Sequence, residues 1–145
     1  MPEKETDIYA SAVSINGNGI LLFGESKSGK SDLTLRLLND GALLIADDRT
    51  ILKKKGTNVY AFPNPEIKGL LEVRGIGIMT FPFTQNIPIA AVFTLTNKEE
   101  KRAPLPSCRE IMGIKIPAWE INPFYASAPI KVKLALNKTL LENKL

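Results

Sequence analysis

Gly24-Glu25-Ser26-Lys27-Ser28-Gly29-Lys30-Ser31 matches, at every fixed position, the phosphate-binding pattern of two glycines with four residues between them, followed by lysine and a hydroxyl residue. Its flanks are those the motif requires. Ile20-Leu21-Leu22-Phe23 before it is a continuous apolar run suited to a buried strand. After it, Leu33, Leu37 and Leu38 share one helical face with Leu35 near its edge, and Asn39-Asp40-Gly41 stops the helix after about ten residues. In this setting the glycines let the backbone approach phosphate, while consecutive N–H groups and the helix start supply positive potential. All eight residues from Gly24 to Ser31 form the expected cradle. Lys30 is placed to reach the β- and γ-phosphates and Ser31 to hold Mg²⁺ through its hydroxyl. A cradle identifies the nucleotide end of a reaction and leaves the acceptor open. The nearest approach to a guanine-reading Asn-Lys-x-Asp is Asn97-Lys98-Glu99-Glu100, which lacks the aspartate and so disfavours a GTPase.

Upstream, Ile8 to Ile15 and the turn-forming Asn16-Gly17-Asn18-Gly19 predict a hairpin feeding the strand that enters the loop. Downstream, Ala42 to Ala46 predicts another buried strand, and it ends in Asp47-Asp48. Ligand sites in open α/β sheets form outside the carboxyl ends of strands. One of these carboxylates can bind Mg²⁺ while its neighbour takes the proton of an acceptor hydroxyl during phosphoryl transfer. The alternative is a plain turn in which Arg49 neutralises an acid. A third unusual segment, Leu71-Glu72-Val73-Arg74-Gly75-Ile76-Gly77-Ile78, sets one acid and one base in an apolar run. Buried charges there would demand phosphate, metal, each other or a protein partner.

The remaining pattern is of hairpins and few helices. Thr50 to Lys54 and Val59 to Phe62 flank Lys55-Gly56-Thr57-Asn58 as a hairpin, and Pro63 and Pro65 then break the pattern. Ile87 to Leu95 predicts a strand, Thr96 to Pro106 a loop, and Ile111 to Ile116 a short strand around Gly113. Ser127 and Pro129 stand where an N-cap and an early helical residue belong, so Ile130 to Lys144 is read as a helix, although alternation of Ile130, Val132, Leu134 and Leu136 also permits a strand.

The 145 residues suit a single domain spanning 1–145, with the charged residues 1–6 as a disordered lead. Lys and Arg number 19 and Asp and Glu 15, a net charge of +4. The basic residues are scattered and the Lys53-Lys54-Lys55 cluster is read as having no aromatic partners to stack bases, so no nucleic-acid partner is expected. No apolar run approaches the ~20 residues of a spanning helix, so no membrane association is expected either. The absence of histidine removes Ser-His-Asp chemistry and imidazole ligands; proton transfer falls to carboxylate, lysine, tyrosine or water. A lone Cys108 fits a reducing cytoplasm.

Taken together, these residues resemble the catalytic domain of HPr kinase/phosphorylase in its short alphaproteobacterial form, which lacks the separate N-terminal domain. The resemblance runs through Gly24 to Ser31, Ser31-Asp32-Leu33, Ala46-Asp47-Asp48-Arg49, Gly69 to Gly77, Asn122-Pro123-Phe124, Ala126-Ser127-Ala128-Pro129 and Lys131-Val132. It implies an α/β, P-loop-containing HPr kinase-like domain with a mixed sheet. It implies ATP- and Mg²⁺-dependent phosphorylation of a serine on the phosphocarrier HPr within the phosphotransferase system, the reverse attack of inorganic phosphate on phosphoserine, and a homo-oligomer, the hexamer of its relatives. Carried over by position, Asp47 is the acid/base, Lys30 contacts the phosphates, Ser31, Asp48 and Glu72 are the metal-side group, and Arg74 shapes the site. The family usually has a histidine where Ile8-Tyr9-Ala10-Ser11 stands. With Tyr9 there, Asp47 is expected to titrate differently, with forward transfer retained and phosphorolysis weak, or else the chain is an ATP-binding regulator with weakened transfer; Tyr9 is alternatively a core aromatic. Longer relatives continue beyond this C-terminus with elements that touch HPr, so docking here is expected to use other surfaces.

Overall fold

A computed structural model describes residues 4–143. Its centre is a nine-stranded mixed sheet. One arm of it is formed by β2 (Ser11–Ile15), β3 (Asn18–Phe23) and β4 (Leu43–Ala46). The other is formed by β1 (Lys4–Ile8), β5 (Thr50–Lys55) and β6 (Asn58–Phe62). Both arms meet on β9 (Ile87–Leu95), which pairs in parallel with β3 and antiparallel with β6. On the β6 side of β9, its last residues pair in parallel with β11 (Ile114–Ile121), to which β10 (Ser107–Ile111) adds an antiparallel edge. The hairpin of β7 (Leu70–Val73) and β8 (Gly77–Thr80) stands apart as a two-stranded sheet.

Alternation along the strands sorts the core. Ile20 and Leu22 of β3 face α1 (Lys30–Asn39) and α2 (Ala128–Glu142), packing with Leu33, Leu37, Val132 and Leu136. Leu21 faces the other way and packs with Ile45, Leu52, Val92, Ile111 and Ile116. Each turn follows from its residues. Ile15 pairs with Asn18, leaving Asn16 and Gly17 at φ 53° and 82° as the two-residue turn that Asn-Gly favours.

Three sequence expectations change. Lys4 to Thr6 belong to β1, not to a disordered lead; Met1 to Glu3 lie outside the described residues. The reason is that β1 is an edge strand held by its backbone ladder to β5, so its side chains are charged and exposed and carry no apolar signal. Gly113 is not a strand centre. With Met112 it forms the positive-φ turn joining β10 to β11, because Ile111 pairs with Ile114. Lys53 and Lys55 do have aromatic neighbours: their ammonium groups lie 4.4 Å from the Phe62 ring and 5.2 Å from the Tyr60 ring, across the hairpin. The helix expected at the C-terminus is present, with Val132 and Leu136 buried four residues apart and Ile130 and Leu134 exposed on the opposite face; Lys144, where the expected helix ended, lies outside the described residues. Ser127 caps through its carbonyl, which accepts the Lys131 N–H at 2.9 Å, and not through its side chain. Among the described residues, no helix is long and apolar enough to cross a membrane.

Candidate active site

The loop from Gly24 to Gly29 joins β3 to α1 and is wound tightly. A Cβ on Gly24 would collide with Ser28 Oγ, and one on Gly29, at φ 93°, would meet Pro123 Cγ at 2.9 Å. Neither position accepts a side chain. Within the loop, Ser28 N–H donates to the Glu25 carbonyl at 3.0 Å. The amides of Ser26, Lys27, Gly29, Lys30, Ser31 and Asp32 donate to no protein acceptor among the described residues. Ser28 Oγ is buried without a partner. A row of orphan donors at a helix start suits an anion, and a triphosphate supplies the acceptors. Lys30 spans the loop: its Nζ donates to the Gly24 carbonyl at 3.4 Å and lies 3.0 Å from Asp48 Oδ1.

The acids reach this loop by a shared bend. β1 and β5 form one antiparallel ribbon and β2 and β4 another, and both chains pass from one arm to the other at the same place, Tyr9–Ala10 and Asp47–Arg49. Cross-strand hydrogen bonds stitch this corner. Thr50 Oγ1 donates to the Ala10 carbonyl at 2.7 Å, and the Asp48 N–H donates to Ser11 Oγ at 3.0 Å. Ser11 Oγ in turn donates to Asp47 Oδ1 at 3.3 Å. Asp48 adopts φ 66°, a conformation that aspartate tolerates better than most residues, and this aims its carboxylate at Lys30. β4 is antiparallel to β2, and β2 to β3, so β3 and β4 end at the same edge. The acids and the loop therefore converge.

Asp47 is half-buried, and burial, reinforced by the adjacent Asp48 charge, raises its pKa above the ordinary carboxylate value of 3.8. Ser11 and Lys30 pull it back, while Glu72 adds a smaller upward push. Glu72, on β7, thus lies within electrostatic range of the acid. Arg74 occupies the turn of the β7–β8 hairpin and makes no ion pair among the described residues. Both charges are exposed, so the burial cost anticipated for them does not arise. The candidate residues Lys30, Asp47 and Asp48 are brought together, with Glu72 beyond them; Arg74 is not in contact with them.

Tyr9 is 69% exposed and not a core aromatic. Arg49 Nη2 donates to its hydroxyl at 2.7 Å, and Arg49 lies 3.5 Å from Asp7. The direct ion pair of Arg49 is therefore with Asp7; among the described residues it makes none with the tandem acids. Ser11, fully buried, was missed by sequence reasoning; its only signal is a serine at the head of a strand that carries Ala12, Val13 and Ile15.

The described residues contain no ready-made cluster of three His, Cys, Asp or Glu ligands. Mg²⁺ does not need one, since it takes one or two carboxylates and completes its shell with phosphate oxygens and water. The hydroxyl of Ser31 and the carboxylates of Asp48 and Glu72 are hard oxygen donors of the right kind.

A glycine-rich loop between strand and helix, faced by tandem acids from a neighbouring strand end, defines a P-loop α/β domain. Comparison with known proteins narrows the class. The sequence model of the HPr Serine kinase C-terminal domain matches residues 3–123, and the chain belongs to that family. It is similar to the HPr kinase/phosphorylase of Mycoplasmopsis pulmonis, 36% identical over 119 residues that cover 82% of this chain and 34% of that protein. It is also similar to that of Mycoplasma mycoides subsp. mycoides, 43% identical over 70 residues that cover 48% of this chain and 22% of the relative. The chain thus spans about a third or less of the length of these curated relatives. In fold it matches the Hpr(Ser) kinase/phosphatase from Coxiella burnetii with a TM-score of 0.85 and 22% identity, covering 97% of this chain and 99% of that one.

Proposed function

We propose that this chain transfers the γ-phosphoryl group of ATP, with Mg²⁺, to a serine of the phosphocarrier HPr. The observation that carries the reading is the convergence of Lys30 and the Asp47–Asp48 corner at the mouth of the loop. In the proposed reaction the acceptor Oγ forms a bond to the γ-phosphorus, the bond from that phosphorus to the β–γ bridging oxygen breaks, and ADP leaves. Asp47 accepts the hydroxyl proton, a task favoured by its raised pKa. Lys30 exchanges Asp48 for the phosphates, and the free loop amides hold the triphosphate tail in line. Mg²⁺, when bound by Ser31, Asp48 and Glu72, neutralises charge developing on the phosphate oxygens. Arg74 is assigned the rim of the acceptor site.

Tyr9 in place of the family histidine leaves Asp47 without an imidazole neighbour, which favours the forward reaction over phosphorolysis and keeps a weakened, ATP-binding regulator as the second reading. A cytoplasmic homo-oligomer, the hexamer of its relatives, is part of the proposal. Purified protein incubated with labelled ATP, Mg²⁺ and HPr tests it. Phosphoserine that is lost in Asp47→Asn is the expected result; tight ATP binding with no transfer from the unaltered chain favours the regulator.

A further inference from the structure

The parallel strands β3, β9 and β11, and β4 with them, all end at one edge of the sheet. The phosphate loop follows β3, the acids follow β4 on one side, and Asn122-Pro123-Phe124 follows β11 on the other. A nucleotide whose terminal phosphate points at the acids must run its base away from them, over the ends of β9 and β11. We infer that Phe124 is the stacking platform for the nucleoside base of the phosphoryl donor, a reading that rests on the proposed nucleotide function of the loop.

The ring is placed and held for this. A Cβ built on Gly29 would lie 3.6 Å from Phe124 Cε1, so the ring borders the loop itself. Phe124 is 66% exposed, so its ring is open to a ligand while the backbone that carries it is tied down. Its N–H donates to Asn122 Oδ1 at 2.9 Å. Arg36 of α1 donates to the carbonyls on either side of it, Pro123 and Tyr125. Asn122 is buttressed in turn by the Lys98 carbonyl and the Glu100 carboxylate. The Asn97 to Glu100 segment, which fails as a base-reading motif, thus supports the platform from behind. A solvent-facing aromatic on a tethered backbone beside a phosphate cradle can gain base contact without ordering a loop.

Calorimetric titration of Mg·ATP and of Mg·tripolyphosphate, which has no base, into the unaltered chain, Phe124→Ala and Phe124→Tyr tests the inference. The expected result is about a ten-fold or greater weakening of ATP binding in Phe124→Ala, the scale of one base–aromatic stack. Tripolyphosphate binding should be unchanged and Phe124→Tyr should retain ATP affinity. Equal losses for both ligands, or no loss for ATP, would overturn the platform. If the unaltered chain fails to bind tripolyphosphate, the cradle itself is refuted and the platform falls with it, a result distinct from a failure confined to Phe124.

Discussion

The Lys30 ammonium stands 3.0 Å from the Asp48 carboxylate, so the cation of the phosphate loop is held by the corner that carries the acids. Asp48 is 76% exposed on its side chain, which keeps this pair weak and exchangeable. A phosphate entering the loop can therefore take the lysine from it.

Replacing that cation separates the two roles. Lys30→Met should lower phosphoryl transfer by about 10²–10³-fold, the scale of one preorganised stabilising group. Its melting temperature should fall only slightly, because the Asp48 end of the pair is open to water and a pair of that kind contributes about 1 kcal/mol or less. Transfer assays beside thermal melts check both halves.

Asp47→Asn should be inactive and yet more stable. The raised pKa means that the folded state binds the Asp47 proton more tightly than the unfolded chain does, so the charged carboxylate costs stability above that raised value. The cost fades as pH falls through the raised value and is gone below the ordinary 3.8. The variant should therefore melt higher than the parent near neutral pH, with the gap closing on acidification. A melting series against pH reads this directly, and a gap that widens in acid contradicts it.

Ser11→Ala removes the hydroxyl that holds the Asp47 carboxylate down and satisfies the Asp48 N–H. A cost of about 1–2 kcal/mol in urea unfolding is expected for the orphaned groups. The more specific readout is kinetic. With its hydrogen bond lost, Asp47 should protonate at higher pH, so the acid limb of the pH–rate profile moves toward neutrality. A purely structural serine would lower stability without moving that limb.

Arg36→Ala should loosen the segment after β11. The guanidinium donates to the Pro123 and Tyr125 carbonyls, and its Nε lies 3.0 Å from Asp32 without hydrogen-bond alignment. Loss of these charge-assisted bonds should cost about 1.5–3 kcal/mol in denaturant titration.

Much of this architecture is legible in the chain because its signals are local. The Asn16-Gly17 turn, the leucine face of α1 and the apolar run of β9 each declare their element within a dozen residues, and the loop motif declares its ligand class. The acids at the end of β4 follow from strand-end logic. What escapes is set by distance. Ser11 meets Asp47 and Asp48 only because two ribbons bend together, and Arg36 meets Pro123 from 87 positions away. β1 hides for a different reason: an edge strand with charged, exposed side chains has no pattern to read. The exposure of Glu72 and Arg74 is likewise invisible, since the apolar residues around them in the β7–β8 hairpin, Ile76 and Ile78, are themselves exposed.

β9 has a bearing on synthesis. It is the strand on which β3 and β6 converge, and its Val92 and Phe93 enter opposite cores. Until residues 87–95 leave the ribosome, one flank of β3 and the free flank of β6 are open ladders, and Ile20, Leu21 and Leu22 lack their closing neighbours. Before β9 emerges the nascent chain carries two unpaired ladders at once, and it is in that interval that its edges most need shielding from other chains.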